Sequence, residues 1–144
     1  MIRLTRAEIV RVARLWIGTP YHHQASLKGV GCDCLGLLRG VWRECVGPEP
    51  ESPPAYRPEW AEASGQERLM EAALRWLEPV PSVVPQAGDV LLFRWRPDLP
   101  AKHIGIATSA TTMVHAHDGA CVCEVHIGSA WQRRLAGVFS FPGL

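Results

Sequence analysis

The apolar residues of this chain change period once, at the proline-containing stretch PVPSVVP, residues 79–85. Before it they recur at helical spacing, and after it they alternate. Ile9, Val12, Ala13 and Trp16 fall at i, i+3, i+4 and i+7, one stripe of a helix. Thr5 followed by Glu8 has the spacing of a capping box, and Gly18 and Pro20 in GTPY end the helix. Helical spacing resumes at Cys34: Cys34, Leu38, Val41 and Cys45 share a face flanked by Leu35 and Trp42, and Gly47-Pro48 stops the run. A third helix is expected from Gln66 to Leu77, burying Leu69, Ala73, Trp76 and Leu77. Past residue 85 the runs DVLLFRW (89–95), HIGIATS (103–109), TMVHAH (112–117) and CVCEVHI (121–127) read as strands. Helices first and strands after is the order of an α+β fold with an antiparallel sheet.

Two stretches have no period. Residues 22–33 read as a loop. Residues 48–64 hold five prolines, which excludes helix interior and marks a long surface excursion, suited to a lid or a docking surface. A length of 144 residues suits a single domain over 1–144, and 47% hydrophobic residues suffice for a core. A net charge of +1 without a basic patch gives no footprint for nucleic acid. Arg3, Arg6, Arg11 and Arg14 interrupt every N-terminal apolar run, so the roughly 7–15-residue apolar core of an export signal is missing. No window approaches the ~18 apolar residues of a membrane span. The expectation is a soluble chain made in the cytoplasm, with no membrane insertion. Its five cysteines are then expected to be thiols.

The chemistry is expected around GVGCDCLGLLRG, residues 29–40. Cys34 stands at the first turn of a helix, where unpaired backbone N–H groups favour a thiolate; Cys32, in the glycine-rich loop, gets little of that effect. Strand alternation puts Ile104 and Ile106 on the core face and His103 on the other, and His115 and His117 on the face opposite Val114 and Ala116. The helix 34–45 is the expected cover of the histidine face. A thiol, an imidazole base and a group that orients the base make an activated nucleophile. Cys34, His103 and His115 supply those three parts. Gly31 and Gly36 leave room for a substrate backbone.

Other residues receive plainer readings. Cys45, Cys121 and Cys123 are expected to be core-facing, and His126 to lie at the surface beside Glu124. His22, His23 and His117 are not assigned by the pattern. Cys32, Cys34, Cys121 and Cys123 make four thiols for a zinc site, but structural sites favour Cys-x2-4-Cys over Cys-x-Cys. No metal or other cofactor is expected. No pair of acids is placed for glycosidase chemistry.

The segments GTPYHHQ, GVGCDCLGL, PQAGDVLLF, HIGIA and MVHAH, in that order from about Ile9 to about His117, resemble the NlpC-type cell-wall peptidases. These are papain-like cysteine endopeptidases of peptidoglycan stem peptides. The resemblance implies a papain-like fold, with Cys34 as nucleophile, His103 as base and His115 as the residue that orients it. It further implies that Tyr21 and Asp33 bind the amino end of the substrate peptide, and that the cleaved bond lies beside γ-D-glutamate. Leu35 stands where the family's commonest motif, Asp-Cys-Ser-Gly, has Ser. That form is similar to the branch carried with phage tails and gene transfer particles, which implies other tail or particle proteins as partners. A structural tail-tip role and an amidase or acyltransferase activity are the competing readings. The roles of Cys32 and of the segment 48–64 stay open.

Overall fold

In the computed structural model, which describes residues 3–51 and 67–144, Thr5 Oγ1 accepts the backbone N–H of Glu8 at 3.1 Å and starts helix α1, Arg6–Arg14. Only half of the expected capping box forms. The Glu8 carboxylate turns forward to Arg11, at 2.9 and 2.6 Å, instead of back to the cap. Ile9, Val12, Ala13 and Trp16 are buried as the stripe predicts.

The stretch read as a loop contains a small antiparallel pair, β1 (Ser26–Leu27) and β2 (Gly31–Cys32). It leads into α2, Cys34–Cys45. The buried face of α2 is Gly36, Leu37, Gly40 and Val41, rotated from the expected Cys34, Leu38, Val41, Cys45 stripe. The glycines explain the rotation. A Cβ at Gly36 would lie 1.8 Å from the Ala25 carbonyl oxygen, and one at Gly40 would lie 2.0 Å from Cζ2 of Trp16. The side of the helix with least side chain is the side that allows closest approach. Cys45 is accordingly half-buried at the rim of the core.

Helix α3, Arg68–Trp76, buries Leu69 and Ala73, while Trp76 stays 38% exposed, contrary to its place on the expected buried side. Most of the proline-rich segment 48–64, and the expected start of α3 at Gln66, lie outside the described residues. No described helix is long and apolar enough to cross a membrane.

The C-terminal half forms an antiparallel sheet ordered β3-β8-β4-β5-β6-β7. Its strands are β3 (Glu78–Pro79), β4 (Val90–Phe93), β5 (His103–Ala107), β6 (Thr112–Ala116), β7 (Val122–His126) and β8 (Leu135–Ser140). A six-residue helix α4, Ser129–Arg134, precedes β8. Arg6 fastens α1 to the start of β4, donating to the fully buried Asp89 carboxylate at 2.7 Å.

Both faces of this sheet are covered, and not as expected. Val90, Leu92, Ile104, Ile106, Val114, Ala116 and Val122 join Leu37 and Val41 of α2 in one cluster. Helix α2 therefore covers the isoleucine face. The opposite face, with Leu91, Phe93, Ala107 and Met113, is closed by Trp131 of α4, by Leu135 and by Val80. The reason lies in amphipathic matching: the apolar side of α2 seeks the branched aliphatic side of the sheet. Alternation also misplaces two cysteines. Val122 is the core residue of β7, which leaves Cys121 exposed and Cys123 half-buried. His126 is exposed as expected.

The Gly40–Trp16 contact joins the turn after α1 to α2, so Gly40→Ala should displace a buried indole and destabilise the chain by about 1–3 kcal/mol. Thermal or urea unfolding of the variant checks this, and an unchanged midpoint would contradict the close approach.

Candidate active site

Asp33 is the N-cap of α2 and is 3% exposed. One carboxylate oxygen accepts the N–H of Gly36 at 2.7 Å and the other that of Gln24 at 2.8 Å. Gln24 has a φ of 66°, a left-handed conformation uncommon for a residue with a side chain. The carboxylate thus fixes the approach loop and the first turn of the helix together. Ser26 reinforces it by donating Oγ–H to the Gly36 carbonyl at 2.6 Å.

Cys34 follows as the first helical residue. Its Sγ–H donates to the carbonyl of Lys102 at 3.7 Å, which places the sulfur against the residue preceding His103. Part of Cys34 reaches the surface, yet burial of the thiol, with Asp33 second, pushes it up to about 12. The backbone N–H groups of Ile104, Leu35 and Cys34 itself pull the other way. The helix terminus acts as the sequence implies, but desolvation and the capping carboxylate outweigh it. The resting sulfur is therefore a neutral thiol, as its donation to a carbonyl requires.

His103 begins β5 and His115 lies on β6. The two strands pair antiparallel, so the expected hairpin carries both. His103 Nε2 and His115 Nδ1 are 2.9 Å apart, and the residues are 5% and 3% exposed. Burial holds His103 well below its usual 6.5, helped by the neighbouring His115 and His117; burial also lowers His115, to about 4. Both imidazoles are neutral near pH 7. With Nε2 engaged by His115, Nδ1 is the nitrogen of His103 left to take a proton.

Sequence reasoning missed the wall around this base. Trp95 and Trp131 each stack on the His103 ring with centroids 5.4 Å away, at 28° and 23°. Phe93 stands 6.1 Å from the same ring. Trp95 ends the run read as the first strand, and Trp131 lies in α4, which no periodicity announced. His117 also joins: its ring lies 5.6 Å from that of His115 and 5.9 Å from that of His103.

Tyr21 is half-buried, packs on the main core as Cys34 and Leu35 do, and forms a bridge with Cys32. Burial raises its hydroxyl pKa, with Cys34 and Asp33 adding to the shift. Cys32 proves to be a core residue, fully buried on β2, its N–H donating to the Pro20 carbonyl at 3.0 Å. The four thiols considered for zinc do not converge. Among the described residues the group of three or more ligating side chains is His103, His115 and His117.

The NlpC/P60 family model matches residues 18–140. No curated protein sequence matches the chain. Among solved structures, the NlpC/p60 domain of the peptidoglycan hydrolase SagA is 23% identical with a TM-score of 0.69, over 96% of this chain and 100% of that one. An NlpC/P60 family protein from Bacillus cereus is 15% identical with a TM-score of 0.70, over 97% of this chain and 41% of that one. A lipoprotein-like NLP/P60 protein from Staphylococcus aureus is 19% identical with a TM-score of 0.63, over 94% and 41%. The fold is thus that of the papain-like NlpC/P60 domains, and the match over residues 18–140 places this chain in the NlpC/P60 family of cysteine peptidases.

Proposed function

We propose that the chain is a thiol endopeptidase that cuts peptidoglycan stem peptides beside γ-D-glutamate, with Cys34 as nucleophile, His103 as base and His115 as its orienting residue. The observation that carries the reading is the buried His103–His115 hydrogen bond of 2.9 Å beside a cysteine at a helix N-terminus. The SagA domain, a peptidoglycan hydrolase by its description, supports the substrate class. Leu35 in place of the usual Ser supports work within a phage-like tail or tail-like particle, alongside other particle proteins. In that reading the particle carries the chain from the cytoplasm where it is made to the wall.

The steps follow from the resting protonation states. In the tautomer this step requires, His103 carries its proton on Nε2 toward His115, and Nδ1 accepts the proton of Cys34 as sulfur attacks the scissile carbonyl. Because both partners are neutral at rest, the proton moves with the attack and no ion pair is stored beforehand. The N–H groups at the start of α2 face the negative oxygen that develops. Collapse expels the amine, which takes the proton from Nδ1, and leaves a thioester. Water then attacks the thioester, giving its proton to His103, and the thiol is regenerated. Asp33 and Tyr21 border the nucleophile, where they receive the amino end of the stem.

Digestion of purified peptidoglycan should release fragments with a new amine on the residue after γ-D-glutamate. Products joined to an added acceptor would point to acyl transfer, and no product to a structural role. Cys34→Ala should leave less than ~0.1% of the rate. Cys32→Ala should keep at least a tenth of it, a barrier change below about 1.4 kcal/mol, while lowering stability through a small core cavity. A chelator should leave the rate intact, because no step uses a metal.

The histidines also set a pH dependence. Both are lowered in the folded chain, so below pH 6.5 the unfolded chain binds more protons and stability falls as pH falls. His115, lowered to about 4, should withdraw on the order of 2–3 kcal/mol between pH 6.5 and 4. Thermal melts across that window test this, and His115→Gln should flatten the curve. For the same reason the acid limb of kcat/KM should lie well below 6.5, and a midpoint at or above that value would contradict a neutral buried base.

A further inference from the structure

Catalysis needs two of the clustered histidines, and the structure holds three. Ligand nitrogens of His103, His115 and His117 all lie within 4.8 Å of one another. The β5–β6 register explains the grouping. It pairs Ile106 with Val114 and Ala107 with Met113, a register that, extended along the strands, sets His103 opposite His117 and diagonal to His115. Two of the imidazoles are buried, and His117 is exposed at their edge.

We propose that His103, His115 and His117 form an inhibitory site for a divalent ion of the zinc type, which shuts off the peptidase by binding its base. A zinc ion with Zn–N distances near 2.0–2.1 Å holds tetrahedral ligands about 3.3 Å apart. The His103–His115 pair, at 2.9 Å, needs to open by a few tenths of an ångström, and His117 must close in from within 4.8 Å. Three imidazoles without a carboxylate select zinc, copper or nickel over magnesium and calcium. Trp95 and Trp131, 6.4 and 6.3 Å from the His117 ring, add an apolar wall. Water completes the fourth position.

The ion and catalysis compete for one nitrogen. At rest the hydrogen between His103 and His115 occupies the place where the metal would bind. Coordination through His103 Nε2 moves that ring's proton to Nδ1, with no net proton lost from the imidazole. Nδ1 is the atom that must take the proton of Cys34, so the metal-bound ring is no longer a base.

The inhibition rests on the peptidase reading, whereas the binding does not. Calorimetric titration of the full chain with Zn2+ should give one site. Histidine-ring NMR should show His103 protonated on Nδ1 when zinc is bound. Zinc should stop hydrolysis over the same concentration range, reversibly with a chelator, and Mg2+ or Ca2+ at about 1 mM should not. His117→Ala and His117→Gln, checked for folding by circular dichroism, should weaken zinc binding at least tenfold, a loss of at least about 1.4 kcal/mol. Their zinc inhibition, relative to each variant's own zinc-free rate, should weaken in step. Cys34→Ala should bind zinc within about threefold of the unmodified chain. Zinc binding that survives both His117 substitutions, or that disappears in Cys34→Ala, would overturn the proposal. One-site, His117-dependent binding by a chain that hydrolyses nothing would instead overturn the peptidase reading and leave the metal site standing.

Discussion

A single buried carboxylate organises the functional end of this molecule. Asp33 accepts from Gly36 inside the helix and from Gln24 in the approach loop. An N-cap bond of this kind contributes about 1 kcal/mol. The buried Gly36 N–H, left without a partner, would cost more than that. Losing Asp33 would therefore release the loop from the helix and let the first turn fray, with Cys34 on it. The same charge opposes ionisation of the neighbouring thiol. Position and activation pull in opposite directions here, and position wins: the sulfur is accurately placed and chemically quiet until a substrate carbonyl arrives.

The nucleophile and the base approach from opposite sides of the sheet. Helix α2 packs on the isoleucine face, whereas the imidazoles project into the layer closed by Trp95 and Trp131. They meet because the helix N-terminus reaches the beginning of β5, where the Lys102 carbonyl receives the thiol and the next residue turns to the far face. This geometry belongs to a strand end. It explains why a glycine-sided helix is required: bulk at Gly36 or Gly40 would lift the helix off Ala25 or Trp16 and carry the sulfur away.

Much of this was legible in one dimension. The stripe of α1, the start of α2 and the strands β4 to β7 follow from local periodicity, and the spacing of His103 and His115 already implied a shared hairpin. What escaped was set by distant partners. β8 joins β4 and β3 inside the sheet although Phe139 lies 49 residues beyond its β4 partner Val90. The two-residue strands β1, β2 and β3 are too short to carry a period. Cys121 and Cys123 alternate like core residues, but their position on an edge strand leaves Val122 to face the core. The stripe of α2 was misread by about one residue, because a buried glycine face carries no hydrophobic signal. The candidate site was legible as residue types and order; its aromatic wall and its neutral resting state were not, since both arise from packing.

The crowding around Cys34 has a consequence for the lifetime of the protein. Peroxides attack thiolates far faster than thiols, and they attack exposed sulfur first. A nucleophile kept protonated by its surroundings is poor prey for such oxidants. Cys121, by contrast, is exposed. Oxidative ageing would then begin at a sulfur with no part in the chemistry, leaving a chain that is chemically marked yet still competent.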